Sequence, residues 1–72
     1  MSISVIEAAK IMDVSPQFIR LGLQQQRLPI GTAVKSSENR WVYDVREHLL
    51  KAYIGEEAYN KAVEAIEAIK EH

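Results

Sequence analysis

The feature that most constrains the fold is a pair of helix start signals close together near the amino terminus. Ser4 precedes an apolar run and has Glu7 three residues later, the spacing of a capping box in which each residue satisfies a free amide of the other. Ser15 stands immediately before Pro16, and serine is a preferred N-cap while proline suits the first helical position. The sequence therefore predicts a helix beginning at Ser4 and a second helix over 16–26, joined by a very short turn.

Length and composition exclude several classes of protein. The chain has 72 residues, no cysteine and two histidines, so we expect one small domain with no metal and no cofactor. It has no glycine-rich phosphate loop and no cluster of histidine and acidic residues, so we expect no catalytic residues and no enzymatic activity. It also lacks a secretion signal and an apolar run of about 20 residues, which predicts a cytoplasmic protein with no membrane partner.

The net charge of −1 hides an asymmetry along the chain. Residues 1–55 carry seven Lys or Arg against five acidic residues, and residues 56–72 carry two against five. The first segment therefore has a net charge of +2 and the second of −3. This split indicates a basic working part over 1–55, followed by an acidic amphipathic helix over 56–72 that faces away from phosphate.

Beyond the second helix, the pattern changes from helical to extended. Residues 30–34 and 40–43 are rich in β-branched and aromatic residues, and the polar stretch 35–39 between them is typical of a turn. A hairpin of this length is marginal alone, so we expect Trp41 and Tyr43, which share a face, to pack on the helices. Base stacking by Trp41 is the alternative. The first two helices and their short turn have the outline of a DNA-reading helix-turn-helix, and a hairpin that follows such a unit is a wing. The predicted fold class is therefore mainly α with a small β-hairpin, a winged helix-turn-helix.

Two further helices complete the expected fold. Asp44 followed by Glu47 predicts a third helix that begins at Asp44, with Gly55 at its end. A last helix from about 56 to 70 carries an apolar stripe at helical spacing, formed by Tyr59, Ala62, Val63, Ile66 and Ile69. The stripe either packs on the core of the same domain or forms a contact between copies of the chain.

The second helix offers the candidate base-reading side chains. If Ile19 and Leu23 face the core, the helical period places Gln17, Arg20 and Gln24 outside. Arginine and glutamine both bind base edges bidentately and also bind phosphates. We assign Gln17 to a base, and leave Gln24 open between base and phosphate. A merely solvated polar face is the competing interpretation. The other candidate DNA-binding residues are Ser15 and Pro16 at the helix start, Arg27 after the helix, and Lys35, Ser36 and Arg40 in the hairpin.

Several stretches carry a family resemblance. They are Glu7-Ala8-Ala9-Lys10, Val14-Ser15, Ile19-Arg20, Leu28-Pro29 and Arg40-Trp41-Val42-Tyr43-Asp44-Val45. Over roughly residues 3–53 the chain resembles the small winged-helix proteins of the excisionase and MerR-like group, which phages and mobile elements encode. The resemblance implies that the second helix enters the major groove, that the wing contacts the backbone or minor groove, and that protomers bind adjacent sites cooperatively. It also implies that Arg20 binds mainly the phosphate backbone.

The chain departs from that group at two positions. Gln26 stands where relatives carry a glycine that ends the second helix, so it must end the helix either without the usual left-handed residue or at some strain. Gly22 stands where relatives carry a larger residue, and a close approach of another helix would explain it.

Together these features predict a sequence-specific protein that binds double-stranded DNA. It is expected to act as an excisionase-like architectural factor in DNA recombination or as a transcription regulator of a mobile element. Two alternatives stay open on the same fold: a protein-interaction module that binds an integrase or a repressor, and a DNA-packaging or assembly factor. Homo-oligomers through the C-terminal helix, or cooperative assembly on DNA, are compatible with each of them.

Overall fold

The computed structural model describes residues 2–70, which form four helices and a small antiparallel sheet. In chain order the elements are β1 (Ser2–Ile3), α1 (Val5–Met12), α2 (Pro16–Gln24), β2 (Gly31–Ser37), β3 (Arg40–Arg46), α3 (Glu47–Ile54) and α4 (Glu56–Lys70). The protein is thus mainly α-helical with a three-stranded sheet of strand order β1-β3-β2. The expected helices and hairpin are all present, and β1 is an addition that the sequence pattern did not predict.

Helix α1 starts where the sequence predicts, with one half of the predicted capping box formed. The Ser4 hydroxyl accepts a hydrogen bond of 3.0 Å from the Glu7 amide, and within residues 2–70 the Ser4 amide has no return bond to the Glu7 carboxylate. The helix ends at Asp13, which adopts a left-handed conformation with φ 57° and donates its own amide to the Ala9 and Lys10 carbonyls. Asparagine and aspartate tolerate this conformation better than other residues that carry a side chain. The tight turn to α2 therefore costs little.

The second helix begins as predicted but ends earlier. The Ser15 hydroxyl accepts from the Phe18 amide at 3.1 Å, and Pro16 occupies the first turn. The prediction that the helix runs to Gln26 was wrong, because α2 ends at Gln24 and Gln26 adopts φ 58°. This left-handed residue reverses the chain, so that the Arg27 amide bonds the Gly22 carbonyl at 2.8 Å.

The hairpin is longer than the sequence suggested. Strands β2 and β3 pair from Gly31 opposite Val45 to Lys35 opposite Trp41, with an irregularity before Ser37 pairs with Arg40. β1 adds to the other edge of β3, placing Ile3 opposite Val45. β3 is therefore the central strand, which explains why Val45 is fully buried.

The extension of β3 overturns the predicted start of α3. Asp44 lies within β3 instead of capping a helix, and α3 begins at Glu47 after Arg46. No side chain caps this end of the helix. Asp44 instead forms an ion pair of 2.8 Å with Arg46, two residues along the same strand and on the same face. Gly55, with φ 95°, ends α3 as predicted.

One core joins all four helices to the sheet. Its buried residues are Ala8 and Ala9 of α1, Ile19 and Leu23 of α2, Leu28 and Ile30 of the following loop, Val45 of β3, Leu50 of α3 and Tyr59 of α4. α4 packs on α1 and α3, and the Lys51 ammonium lies 5.0 Å from the centre of the Tyr59 ring. The apolar stripe of α4 thus shares the core with the rest of the domain through Tyr59 and Val63. No helix within residues 2–70 is both long and apolar enough to cross a membrane.

Candidate nucleic-acid interface

Helix α2 is fixed on the core by its inward side chains. Ile19 is fully buried and Leu23 is 2% exposed, as the helical period predicts. On the other side of the helix Gln17 is exposed, while Arg20 and Gln24 are half-buried. Side chains three and four residues apart on a helix are neighbours, so Gln17, Arg20 and Gln24 form one row along α2. We call these three residues the polar row.

The polar row lies on the side of α2 that faces the hairpin. The Gln24 side-chain amide donates a partly buried hydrogen bond of 2.6 Å to the Tyr43 hydroxyl of β3. This bond connects the end of α2 to the sheet and fixes the position of one relative to the other. It also engages the Gln24 amide within the protein, which leaves Gln17 and Arg20 as the members of the row without such a bond in the described part of the chain.

The distal half of the hairpin continues the same surface. Lys35 pairs with Trp41, and both share the inner sheet face with Tyr43 because alternate residues of a strand point to the same side. Tyr43 packs on the core as expected, but the prediction for Trp41 was wrong. Trp41 is only half-buried and lies outside the set of residues that pack on the core. It stands two residues closer to the hairpin tip, past the reach of the helices.

Trp41 is therefore the candidate that sequence reasoning underestimated. The position of Trp41 close to the hairpin turn could have predicted its partial exposure, because a marginal hairpin buries only the residues next to the helices. Beyond Tyr43 the inner face carries an aromatic ring beside an exposed ammonium group, that of Lys35. Such a pair can stack on a sugar or base while it neutralises a phosphate.

The hairpin tip carries the remaining polar candidates. The Ser36 hydroxyl donates to the Arg40 carbonyl at 3.5 Å, so Ser36 helps to form the turn. Arg40 is exposed and pairs with Ser37 after the irregularity in the ladder. On α2, Ser15 and Pro16 form the start of the helix, where free backbone amides favour an anion.

Arg27 lies outside the polar row. It lines a groove between α2 and α3 together with Phe18, Leu21 and Tyr53. Leu21 is four residues from Gln17 and three from Gln24, so the groove adjoins the polar row. The basic candidates thus divide into two groups, with Arg20 in the polar row and Arg27 beside α3. The sequence could have indicated this second surface, since α2 carries apolar residues beyond those needed for the core, namely Phe18 and Leu21.

The cations of the interface are not neutralised by acidic side chains in the described part of the chain. The ion pairs within residues 2–70 are those of Arg46 with Asp44 and of Lys61 with Glu57. Arg20, Lys35 and Arg40 take part in neither, so their charges are available to an anion. Within residues 2–70, no group of three His, Asp or Glu side chains lies close enough together to hold a metal ion.

Comparisons with known proteins identify no relative. No protein-family model matches the chain, and neither a curated protein sequence nor a solved structure resembles it significantly.

Proposed function

We propose that the protein binds double-stranded DNA sequence-specifically as a winged helix-turn-helix, with α2 in the major groove and the hairpin as the wing. The observation that carries the proposal is the hydrogen bond between Gln24 and Tyr43. It joins the polar row of α2 to the hairpin face that carries Lys35 and Trp41, so that helix and hairpin form one surface. The major groove, about 12 Å wide, accommodates an α-helix of this kind.

The residues of this surface take different roles. Gln17 is exposed near the start of α2, where side chains reach base edges most easily, and its amide matches adenine. Arg20 is half-buried at the flank of the helix and binds phosphate. Lys35 and Arg40 bind the backbone beside the wing. Gln24 positions the wing, a narrower role than the base or phosphate contact that the sequence left open.

The biological role proposed is that of an excisionase-like architectural factor or a transcription regulator. A single copy neutralises about three to five phosphates, which predicts a salt dependence of log K against log salt near −3 to −5. Useful affinity at physiological salt then requires several copies on repeated sites. A protein-interaction module on the same fold is the second candidate, and the exposed apolar groove between α2 and α3 favours it.

Selection of duplexes from a random pool tests the proposal. We expect recovery of a short motif at near-physiological salt, and binding to it that weakens with salt at the slope given above. Arg20→Ala should weaken binding to all sequences and reduce the slope by about one, whereas Gln17→Ala should relax preference at one base pair. Lys61→Ala removes a cation from α4 and serves as the control. Recovery of no motif together with a flat salt response would contradict the proposal and favour a protein partner.

A further inference from the structure

The groove between α2 and α3 is an exposed apolar surface. Its sides are formed by Phe18, Leu21 and Tyr53, which are 51%, 43% and 49% exposed. Gly22 and the buried Leu28 lie at its base, and its volume is about 430 Å³. Exposed aromatic and aliphatic side chains that cluster around a depression mark a contact site more often than scattered ones do. Arg27 places a positive charge at this groove.

The end of α4 is an unpartnered apolar ridge. Tyr59 is buried and Val63 still packs on the core, but the same stripe continues to Ile66, which is half-buried, and to Ile69, which is 75% exposed. Glu64 and Glu67 are exposed beside the stripe. The helix thus carries its apolar stripe past the body that could cover it. None of residues 56–69 lines the groove, so this part of α4 does not fill the groove of its own chain.

The two features complement each other in shape and in charge. The groove is concave, apolar and carries Arg27, within a segment of net charge +2. The ridge is convex, apolar and flanked by Glu64 and Glu67, within a segment of net charge −3. A symmetric contact between two α4 ridges would instead bring two acidic helices together, which is unfavourable. Opposite charge therefore favours a ridge-to-groove contact.

We propose that the end of α4 of one copy docks in the α2–α3 groove of a second copy, with Ile66 and Ile69 against Phe18, Leu21 and Tyr53. The groove and the ridge are different surfaces of one chain, so the contact is heterologous and each copy can bind two others. Repeating this contact gives a linear head-to-tail oligomer. The contact involves few side chains and is weak and transient. It does not depend on the proposed DNA binding.

Sedimentation equilibrium on complementary variants tests this inference without DNA. Phe18→Asp disables the groove and Ile69→Asp disables the ridge, and both positions are exposed, so that the fold is retained, as circular dichroism will check. Ile6→Asp changes an apolar residue of α1 that is 53% exposed and outside both surfaces, and serves as the matched control. Concentrations extend to about 1 mM, where a contact with a millimolar dissociation constant is substantially occupied.

We expect the average mass of the unaltered protein and of Ile6→Asp to rise with concentration past that of a dimer. Each disabling variant should stay monomeric, and their equimolar mixture should form a dimer and nothing larger, because only one intact groove meets one intact ridge. A monomeric unaltered protein at all concentrations would overturn the inference. So would assembly of Phe18→Asp alone, which would indicate ridge-to-ridge pairing, or a monomeric mixture when the unaltered protein assembles.

Discussion

The hydrogen bond between the Gln24 amide and the Tyr43 hydroxyl is the residue contact on which the proposed interface depends. It is partly buried and joins residues 19 positions apart, at the junction between α2 and the hairpin. A hydrogen bond of this kind stabilises the fold modestly. Removing one partner lowers the free energy of unfolding, because the other polar group is left unpaired. The bond therefore contributes to both the stability of the domain and the position of the hairpin relative to α2.

Tyr43→Phe removes the hydroxyl and leaves the ring in place. We expect a loss of about 0.5–1.5 kcal/mol in the free energy of unfolding, because the Gln24 amide loses its acceptor. Urea denaturation measures this change. Tyr53→Phe is the control, since Tyr53 is 49% exposed and should change stability by less than about 0.5 kcal/mol. An equal effect of the two substitutions would show that the bond is not formed in solution.

Gly22 shows a second residue-scale constraint. The sequence suggested that a neighbouring helix approaches it, but the residue that does so is Leu28 of the loop after α2. A Cβ atom at position 22 would lie 2.6 Å from Leu28 Cγ. The close approach is thus explained by the chain reversal that follows Gln26, which returns Leu28 onto its own helix.

Gly22→Ala should destabilise the protein by about 1 kcal/mol. The collision with buried Leu28 costs about 1–3 kcal/mol and exceeds the gain in helix propensity of about 1 kcal/mol. In a Leu28→Ala background the collision is absent, so the same change should be stabilising. A double-mutant cycle by chemical denaturation measures the reversal of sign. Equal effects in both backgrounds would contradict the packing described.

At the scale of elements, the end of α2 is strained. Gln26 adopts φ 58°, where a side chain costs about 1–2 kcal/mol and glycine costs nothing. Gln26→Gly should therefore stabilise the protein by about 0.5–1 kcal/mol after the greater entropy of the unfolded chain is subtracted. Gln25→Gly is the control at φ −88°, where glycine relieves no strain and should be destabilising. Thermal unfolding distinguishes the two variants.

The attachment of α4 gives a prediction about pH. Burial raises the pKa of Tyr59, and the nearby carboxylates of Glu47 and Glu7 raise it further. The folded protein therefore holds this proton more tightly than the unfolded chain. The resulting stability is fully present below pH about 10 and is lost as the pH rises above that value. Tyr59→Phe should show a smaller decline in this range by urea denaturation than the unaltered protein does, and an equal decline would contradict this prediction.

Helix starts set by local chemistry were predictable, and those that depend on strand pairing were not. Ser4 and Ser15 cap their helices through bonds to residues three positions away, which the sequence displays directly. Asp44 has the same local signal but lies in a strand, because it pairs with Thr32 of β2, and β1 pairs with the two residues that follow it. β1 is only two residues long, too short to leave a periodic pattern.

At the scale of the whole molecule, the positions of the charges follow from the fold. The acidic helix α4 packs on α1 and α3, while the polar row faces the hairpin. That the acidic helix faces away from phosphate stays a prediction from the charge counts. The sequence could not predict that Arg27 lies beside α3, since the direction of that side chain depends on the chain reversal at Gln26.

The most direct measurement of the central claim is an NMR titration of the protein with duplex DNA at low salt. Trp41 is the only tryptophan, so its indole N–H signal reports on the hairpin, and the Gln24 side-chain amide signals report on the junction with α2. DNA binding through this surface should shift these signals and the backbone amides of Gln17 and Arg20 in proportion to bound DNA, while those of residues 60–69 stay unchanged. Unchanged Trp41, Gln17 and Arg20 signals at saturating DNA would contradict it.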